Sequence, residues 1–217
     1  MVELLEAAEL STPIGVFAVV YEGRAVYRVD LIERGAPAPA LAVGAVRRKP
    51  PFPPGSPPRQ LDEYFRGRRI TFDVDPRPDS ASAFDRKVWK TLEGVPAGST
   101  ITYGELARRA GFRGAARAVG GAMARNPIPI IVPCHRVVGQ DGRITGYGLG
   151  LWRKRWLLER EGAWPLRSRS AEGPRPRGQR TLDELAASKL ERRQVGARAP
   201  PASPPGAAAS GGAAPAT

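Results

Sequence analysis

The sequence contains a single cysteine and a single histidine among its 217 residues. One cysteine cannot form a disulfide within the chain, and one of each residue cannot make up a Cys/His zinc site. The sequence also lacks an apolar run long enough to cross a bilayer, and its start lacks the features of a signal peptide. These absences predict a cytoplasmic protein that needs no metal and no other cofactor.

Acidic residues are few relative to basic ones: 21 Asp and Glu stand against 34 Lys and Arg, a formal net charge of +13. Such an excess favours a polyanionic partner, most commonly nucleic acid, although charge alone carries no sequence information. A compositional bias of the genome towards Arg, Ala, Gly and Pro is the alternative explanation. The composition therefore indicates a nucleic-acid partner without establishing one.

Changes in composition divide the chain into three segments. We predict an N-terminal α/β supporting domain over residues 1–80, a C-terminal domain over 81–165, and a Pro/Ala/Arg-rich tail over 166–217. The tail has no sustained apolar periodicity, so it is predicted to be disordered except for one marginal helix at 181–194.

The N-terminal segment shows several short β-rich runs. Those at 13–22 and 24–33 predict a hairpin that turns at Glu22-Gly23. A third short strand is predicted at 41–46 within a loop-like stretch. A helix is predicted at 60–66, followed by a strand or extended connector at 70–74.

Two helices with clear capping signals follow. Ser82 precedes a helix that ends at Gly94, and Thr102 precedes a shorter one that ends at Gly111. In each case an acidic residue stands three positions after the cap, as in a capping box.

The next predicted helix, over residues 115–124, consists almost entirely of small side chains, with Arg117 as the one long side chain in its middle. With the preceding helix it makes a helix-turn-helix candidate. Close packing against a neighbouring helix explains the small residues equally well, and the sequence leaves both interpretations open.

Cys134 and His135 stand side by side after an apolar run at 128–132. The β-branched residues and prolines of this run predict an extended, strand-like approach to the cysteine. A free thiol is only slightly ionised near neutral pH, so a nucleophilic cysteine needs a base, and His135 is the only imidazole. The alternative is a small, buried, inert cysteine.

A further helix is predicted from Leu151 to Glu161, closed by Gly162, after a turn at 139–142 and a Gly-rich loop. Glu161 shares a helical face with Leu157, so its carboxylate either points inward and needs a partner or lies in water at a frayed helix end.

The C-terminal half carries a set of short motifs in a fixed order. They are Val88-Trp89, Ile101-Thr102-Tyr103, Ala116-Arg117-Ala118-Val119-Gly120-Gly121-Ala122-Met123, Asn126-Pro127, Ile131-Val132-Pro133-Cys134-His135-Arg136-Val137-Val138, Gly146-Tyr147 and Trp156-Leu157-Leu158. From about residue 82 to 162 this pattern resembles the O6-alkylguanine-DNA alkyltransferases, the methylated-DNA–protein-cysteine methyltransferase family.

The resemblance implies roles for five residues in an alkyl transfer. Cys134 accepts the alkyl group from O6 of guanine, and His135 takes the thiol proton through a bridging water. Glu161 fixes the imidazole tautomer, and Asn126 holds the turn before the cysteine. Tyr103 crowds the phosphate of the target nucleotide and donates a proton towards the leaving guanine.

The resemblance also implies a DNA-binding surface and a substrate pocket. Arg117 enters the base stack in place of the flipped nucleotide, and its helix lies in the minor groove. The DNA-binding residues are Arg117, Ala116, Ala118, Gly120, Tyr103 and Arg125. The pocket is lined by Met123, Val137 with its backbone carbonyl, Tyr147, Gly148 and Leu149.

The fold implied is α+β: a small N-terminal antiparallel sheet with a helix, ribonuclease H-like, followed by a mostly helical domain with a winged helix-turn-helix. The implied function is direct-reversal DNA repair by a monomer that acts once on double-stranded DNA containing O6-alkylguanine or O4-alkylthymine. Cooperative binding along DNA is left open.

The sequence departs from the family pattern at Leu149, where glycine is common, which puts the tolerance of bulky alkyl groups in question. The residues that hold zinc in some relatives are absent. A non-catalytic lesion-binding relative and a cysteine hydrolase with a Cys-His-Glu triad are the alternative functions. Cys134 argues against the first of these, and the adjacency of Cys and His argues against the second.

Overall fold

The computed structural model describes residues 5–32 and 45–164, which form a mixed α+β fold with a five-stranded sheet. The elements are, in chain order, β1 (Glu6–Thr12), β2 (Gly15–Glu22), β3 (Ala25–Ile32), β4 (Val46–Arg48), α1 (Pro57–Phe65), β5 (Asp75–Pro76), α2 (Ala83–Glu93), β6 (Ile101–Thr102), α3 (Tyr103–Arg109), α4 (Ala116–Ala124), a 3-10 turn (Cys134–Arg136), β7 (Val137–Val138) and α5 (Leu151–Arg160).

The main sheet has the strand order β4-β1-β2-β3-β5. The predicted hairpin is confirmed as β2 and β3, which are antiparallel, with Gly23 in the left-handed region at φ 54°. The prediction of an antiparallel sheet is correct only for the centre, because β4 pairs with β1 and β5 pairs with β3 in parallel. Both edge strands follow long connections, which allow a parallel return.

Several N-terminal boundaries differ from the predictions. The predicted strand at 41–46 falls mostly outside the described residues, and the observed β4 begins at its last residue. The stretch 70–74 forms no strand, since pairing begins at Asp75. Helix α1 begins at Pro57 rather than at residue 60, because proline at the first helical positions loses no hydrogen bond. The predicted tail and its helix at 181–194 also lie outside the described residues.

The capping predictions for α2 and α3 are confirmed. The Ser82 side chain accepts a hydrogen bond from the Asp85 backbone N–H at 3.0 Å, and the Thr102 side chain accepts one from the Glu105 N–H at 3.1 Å. Strand β6, which ends at Thr102, pairs in parallel with β7, directly after the Cys134–Arg136 turn. This pairing ties the start of α3 to the segment that carries the cysteine.

The prediction of a strand-like approach to Cys134 is wrong. Residues 128–132 form a tight turn in which the Val132 N–H reaches the Ile128 carbonyl at 2.9 Å and Ile130 has φ 78°. Cys134 itself opens a 3-10 turn. Prolines on both sides remove backbone donors, so the segment cannot complete a β-ladder, and Asn126 supplies hydrogen bonds in its place.

In the described residues, the sheet and the helices share one large hydrophobic core, and a smaller cluster of Ala7, Ala18 and Val20 is separate from it. The large core runs from Phe17 on β2 through Tyr64 on α1 to Leu106 and Leu157 on α3 and α5. The boundary at residues 80/81 stays a prediction. Within residues 5–32 and 45–164, no helix combines the length and the apolar character needed to span a membrane.

Candidate functional site

Cys134 is held in the 3-10 turn that follows the Pro-rich loop. Its N–H donates to the Val132 carbonyl at 2.8 Å, and 5% of its surface is exposed. Burial raises the pKa of the Cys134 thiol, while a hydrogen bond from Asn126 and the positive charge of Lys154 oppose that rise. The net shift is upward, so the resting group is a thiol and needs a base to become a nucleophile.

His135 is fully buried, and its Nε2 lies 3.1 Å from Oε1 of Glu161. Burial lowers the pKa of the imidazole despite the attraction of Glu161, so the ring is neutral near pH 7. Burial raises the pKa of Glu161, but hydrogen bonds from His135 and Arg136 outweigh it and hold that pKa at about 2.

The charge state of Glu161 fixes the tautomer of His135. An ionised carboxylate only accepts hydrogen bonds, so Nε2 must carry the ring proton and donate a hydrogen bond to Glu161. The lone pair then lies on Nδ1, which is buried and has no hydrogen-bond partner among the residues that the structure describes. This nitrogen is therefore free to accept a hydrogen bond.

The Glu161 carboxylate points inward, as one of the two sequence interpretations expected, and the frayed-end interpretation is wrong. It accepts hydrogen bonds from Tyr64 Oη at 2.9 Å and from Arg136 Nε and Nη2, both at 2.8 Å. The third nitrogen of Arg136 donates to the Val95 carbonyl at 2.6 Å. The buried charge of Glu161 is thus paired with a buried guanidinium.

Lys154 is a further buried charge near the cysteine. Its Nζ donates to the carbonyl oxygens of Val137, Thr145 (2.6 Å) and Gly146 (3.1 Å), and lies 5.9 Å from the Tyr103 ring centroid. Burial lowers its pKa to about 8. Lys154 therefore joins the strand after the cysteine to the Gly-rich loop.

Four of the five residues predicted to line the pocket belong to the hydrophobic core that contains Cys134 or pack against it, and Gly148 does not. Met123 and Val137 are buried, Tyr147 and Leu149 are half-buried, and Gly148 is exposed. The Tyr147 hydroxyl is buried and has no partner within the described part of the chain. The Val137 carbonyl, predicted to face the pocket, accepts a hydrogen bond from Lys154.

Helix α4 has one packed face and one open face, so its small residues do allow close packing, and the helix-turn-helix interpretation stays a prediction. Val119, Ala122 and Met123 are buried, and the Ala122 carbonyl accepts from the Trp89 indole N–H at 3.0 Å. On the other side, a surface groove is lined by Thr102, Tyr103, Gly104, Glu105, Arg108, Ala116, Arg117, Gly120 and Gln140. Arg117 and Ala118 are exposed.

Arg125, a predicted DNA contact, is engaged within the protein. Its Nη2 lies 2.7 Å from Oδ1 of the buried Asp85, which joins the end of α4 to the first turn of α2. A Cβ at Gly121 would lie 3.1 Å from Arg125 Nη1, so the glycine makes room for this guanidinium. The side chain is 58% exposed, and a DNA contact from it stays a prediction.

Comparisons with known proteins point to one protein family. Residues 83–163 match the family described as 6-O-methylguanine DNA methyltransferase, DNA binding domain. A methylated-DNA–protein-cysteine methyltransferase of Shigella flexneri is 50% identical over 109 residues, which are 50% of this chain and 64% of that protein. The crystal structure of Mycobacterium tuberculosis O6-methylguanine methyltransferase is 37% identical, with a TM-score of 0.62, and the match covers 76% of this chain and 97% of that one.

The chain belongs to the methylated-DNA–protein-cysteine methyltransferase family. A structure of the M. tuberculosis protein in complex with DNA also matches, at 38% identity and a TM-score of 0.62, over 73% of this chain and 93% of that one.

Three residues at this methyltransferase-family site were given no role from the sequence. Lys154 could have been found, because it precedes Leu157 and Glu161 by three and seven positions and so shares their inward face. Arg136 was seen only as part of a motif. Tyr64 carries no local signal, since its contact with Glu161 spans 97 residues.

Proposed function

We propose that this chain repairs double-stranded DNA by transferring the alkyl group of O6-alkylguanine to Sγ of Cys134, in one irreversible step. One observation carries the proposal: a buried thiol is followed directly by a neutral imidazole whose Nε2 is bound to an ionised carboxylate. The other ring nitrogen is thereby left as a base for the thiol proton.

The reaction balances without a cofactor. His135 Nδ1 takes the thiol proton, by way of a water as in the family resemblance, and the sulfur attacks the alkyl carbon. An S–C bond forms while the O6–C bond breaks, and its electron pair leaves with guanine. Guanine regains one proton, with Tyr103 as the proposed donor, and the proton taken up by His135 passes through solvent to restore the Tyr103 hydroxyl. The thioether product has no good leaving group, so each molecule acts once.

The proposed DNA-binding surface is the groove beside α3 and α4. We infer that these helices act as a winged helix-turn-helix with α4 in the minor groove, where the charge of Arg117 suits the negative potential. Extruding the target base costs about a few kcal/mol, less for a damaged base, and Arg117 would fill the gap. We also propose that the N-terminal sheet has a ribonuclease H-like fold. We propose that the protein acts as a monomer.

The pocket for the flipped base is proposed between Met123, Val137 and Tyr147, with Leu149 at its rim. Asn126, by holding the preceding turn, sets where Cys134 lies within it. Because Leu149 is larger than glycine, we expect methyl groups to react better than bulky alkyl groups. We propose O4-alkylthymine, whose base is smaller than guanine, as a second substrate.

Titration with a methylated duplex tests this function directly. The wild-type chain should consume one lesion per molecule and then stop, and peptide mass analysis should place the added methyl group on Cys134. Continued turnover would indicate a hydrolase, and binding without transfer would indicate a non-catalytic lesion-binding protein.

The variant Cys134→Ala provides the control. It should lose all transfer and keep DNA binding, because the thiol is buried away from the groove that carries Arg117. Residual transfer by this variant would refute the assignment of the acceptor.

A further inference from the structure

The two oxygens of the Glu161 carboxylate are bound unequally. Among the residues that the structure describes, Oε2 accepts one hydrogen bond, from Arg136 Nε. Oε1 accepts three, from Arg136 Nη2 at 2.8 Å, Tyr64 Oη at 2.9 Å and His135 Nε2 at 3.1 Å. The oxygen that meets the imidazole is therefore also the oxygen that the tyrosine hydroxyl binds.

Tyr64 is a rigid donor supplied from outside residues 83–163, the segment that the family model matches. Its side chain lies in the core, with its ring centroid 5.4 Å from that of Phe65 and 5.3 Å from that of Phe72. Its backbone carbonyl accepts two hydrogen bonds from Arg160, at 2.9 and 2.6 Å. The hydroxyl consequently has one fixed position, at the end of α1.

The hydroxyl also stays protonated. Burial and the negative charge of Glu161 raise the pKa of Tyr64 well above its ordinary value. Tyr64 is therefore a hydrogen-bond donor at every pH at which the protein works, and it cannot compete with the imidazole as a base.

We infer that Tyr64 is a positioning residue for the alkyl transfer: its hydroxyl holds the Glu161 oxygen that orients His135 and disperses part of that oxygen's negative charge. This inference rests on the proposed function of the site. It makes the N-terminal half of the chain a contributor to the reacting pair, through a residue that never touches the substrate.

The charges around the imidazole determine the expected effect of removing the hydroxyl. Glu161, directly after α5, favours the protonated ring, while Lys154 on α5 and the neighbouring Arg136 oppose protonation. Without the Tyr64 donor, more negative charge remains on Oε1, and that charge stabilises the imidazolium. Tyr64→Phe should therefore raise the pKa of His135.

Because the chain has one histidine, nitrogen-15 NMR of the full-length protein shows a single imidazole. In wild type its Nε2 should be protonated. In Tyr64→Phe the midpoint of its titration should rise by about half a pH unit or more, and the acidic limb of the transfer rate should move with it. Tyr27→Phe is the matched control, because it removes another tyrosine-carboxylate bond, to Glu22 at 2.8 Å, in the sheet.

A titration and a rate profile of Tyr64→Phe that overlie those of wild type, with only a loss of thermal stability, would overturn the inference. If Tyr64→Phe fails to fold, 3-fluorotyrosine incorporated at position 64 keeps the ring and strengthens the donor. The imidazole midpoint should then fall, and an unchanged midpoint would refute the role.

The positioning role of Tyr64 and the alkyl-transfer function of the chain can be tested separately. The imidazole titration uses no DNA, so it tests the link from Tyr64 to His135 even if the chain transfers no alkyl group. Stoichiometric methylation of Cys134 by the wild-type chain tests the function without reference to Tyr64.

Discussion

At the scale of single residues, the neutral, buried imidazole of His135 links the chemistry of the site to the stability of the fold. Burial lowers its pKa in the folded protein, whereas the unfolded chain has an ordinary pKa of about 6.5. Below that value the unfolded chain binds a proton that the folded protein does not. Acidification therefore favours unfolding, starting at the unfolded pKa and ending at the lower folded pKa.

We predict that stability to denaturant falls between pH 7 and pH 5.5 with a slope of at most about 1.4 kcal/mol per pH unit. The carboxylates titrate mainly below this window, and the chain has no other histidine. Urea unfolding at a series of pH values measures the slope, and His135→Gln should remove it. An equal slope in that variant would show that another group titrates.

Arg117 allows function and stability to be separated, because its side chain is exposed in the groove beside α4. Arg117→Ala should change the free energy of unfolding by no more than about 0.5 kcal/mol, as surface substitutions usually do, and should slow transfer from duplex DNA strongly. Arg113→Ala, at an exposed position outside the groove, is the control. A large fall in melting temperature with normal transfer would make Arg117 structural.

At the scale of elements, the turn between α4 and Cys134 depends on one side chain. Asn126 Nδ2 donates to the Val132 carbonyl, and its Oδ1 accepts from the Ile128 N–H, both at 3.0 Å. The turn has few backbone hydrogen bonds of its own because prolines interrupt it. Its shape, and with it the place of the thiol, therefore rests on this amide.

Asn126→Ala leaves a buried donor and a buried acceptor unpaired, so we expect a loss of about 2–4 kcal/mol in unfolding free energy. Transfer should fall further than the unfolded fraction explains, because the thiol is displaced. Chemical denaturation and single-turnover kinetics measure the two effects. Asp141→Ala, which removes a side-chain hydrogen bond in an exposed turn, should change neither by a comparable amount.

The elements also show which kinds of information the sequence carries. Helices α2 and α3 could be predicted because their caps and apolar spacing are local signals. The spacing of Glu161 from Leu157 made an inward carboxylate one of two interpretations, and only the structure decides between them. Strand β1 was missed although it pairs with β2 along its whole length. The β-branched residues before Cys134 predict a strand where the structure has a turn, because composition gives no information about the hydrogen bonds that Asn126 supplies.

At the scale of the whole molecule, the described residues before and after position 80 form two halves that are joined at several distant points. The hydrogen bonds that cross between them include Val29 N–H to the Pro127 carbonyl (2.8 Å), Arg153 Nε to the Ile14 carbonyl (2.7 Å) and Tyr64 Oη to Glu161 (2.9 Å). Aromatic packing adds to them, with Phe65 5.8 Å from Trp156 between ring centroids. These contacts favour a single cooperative unit over two independent domains.

We therefore predict one unfolding transition for the sheet and the site, with equal calorimetric and van't Hoff enthalpies. Phe17→Ala in β2 removes a ring that stacks on Phe65 and should cost about 3–5 kcal/mol. The loss of unfolding free energy should be the same whether unfolding is followed by NMR signals of residues in the sheet or by the NMR signal of His135. Val46→Ala, at an exposed edge-strand position, is the control. If Phe17→Ala lowered only the sheet transition, the halves would be separate domains, and the shared core would not couple them.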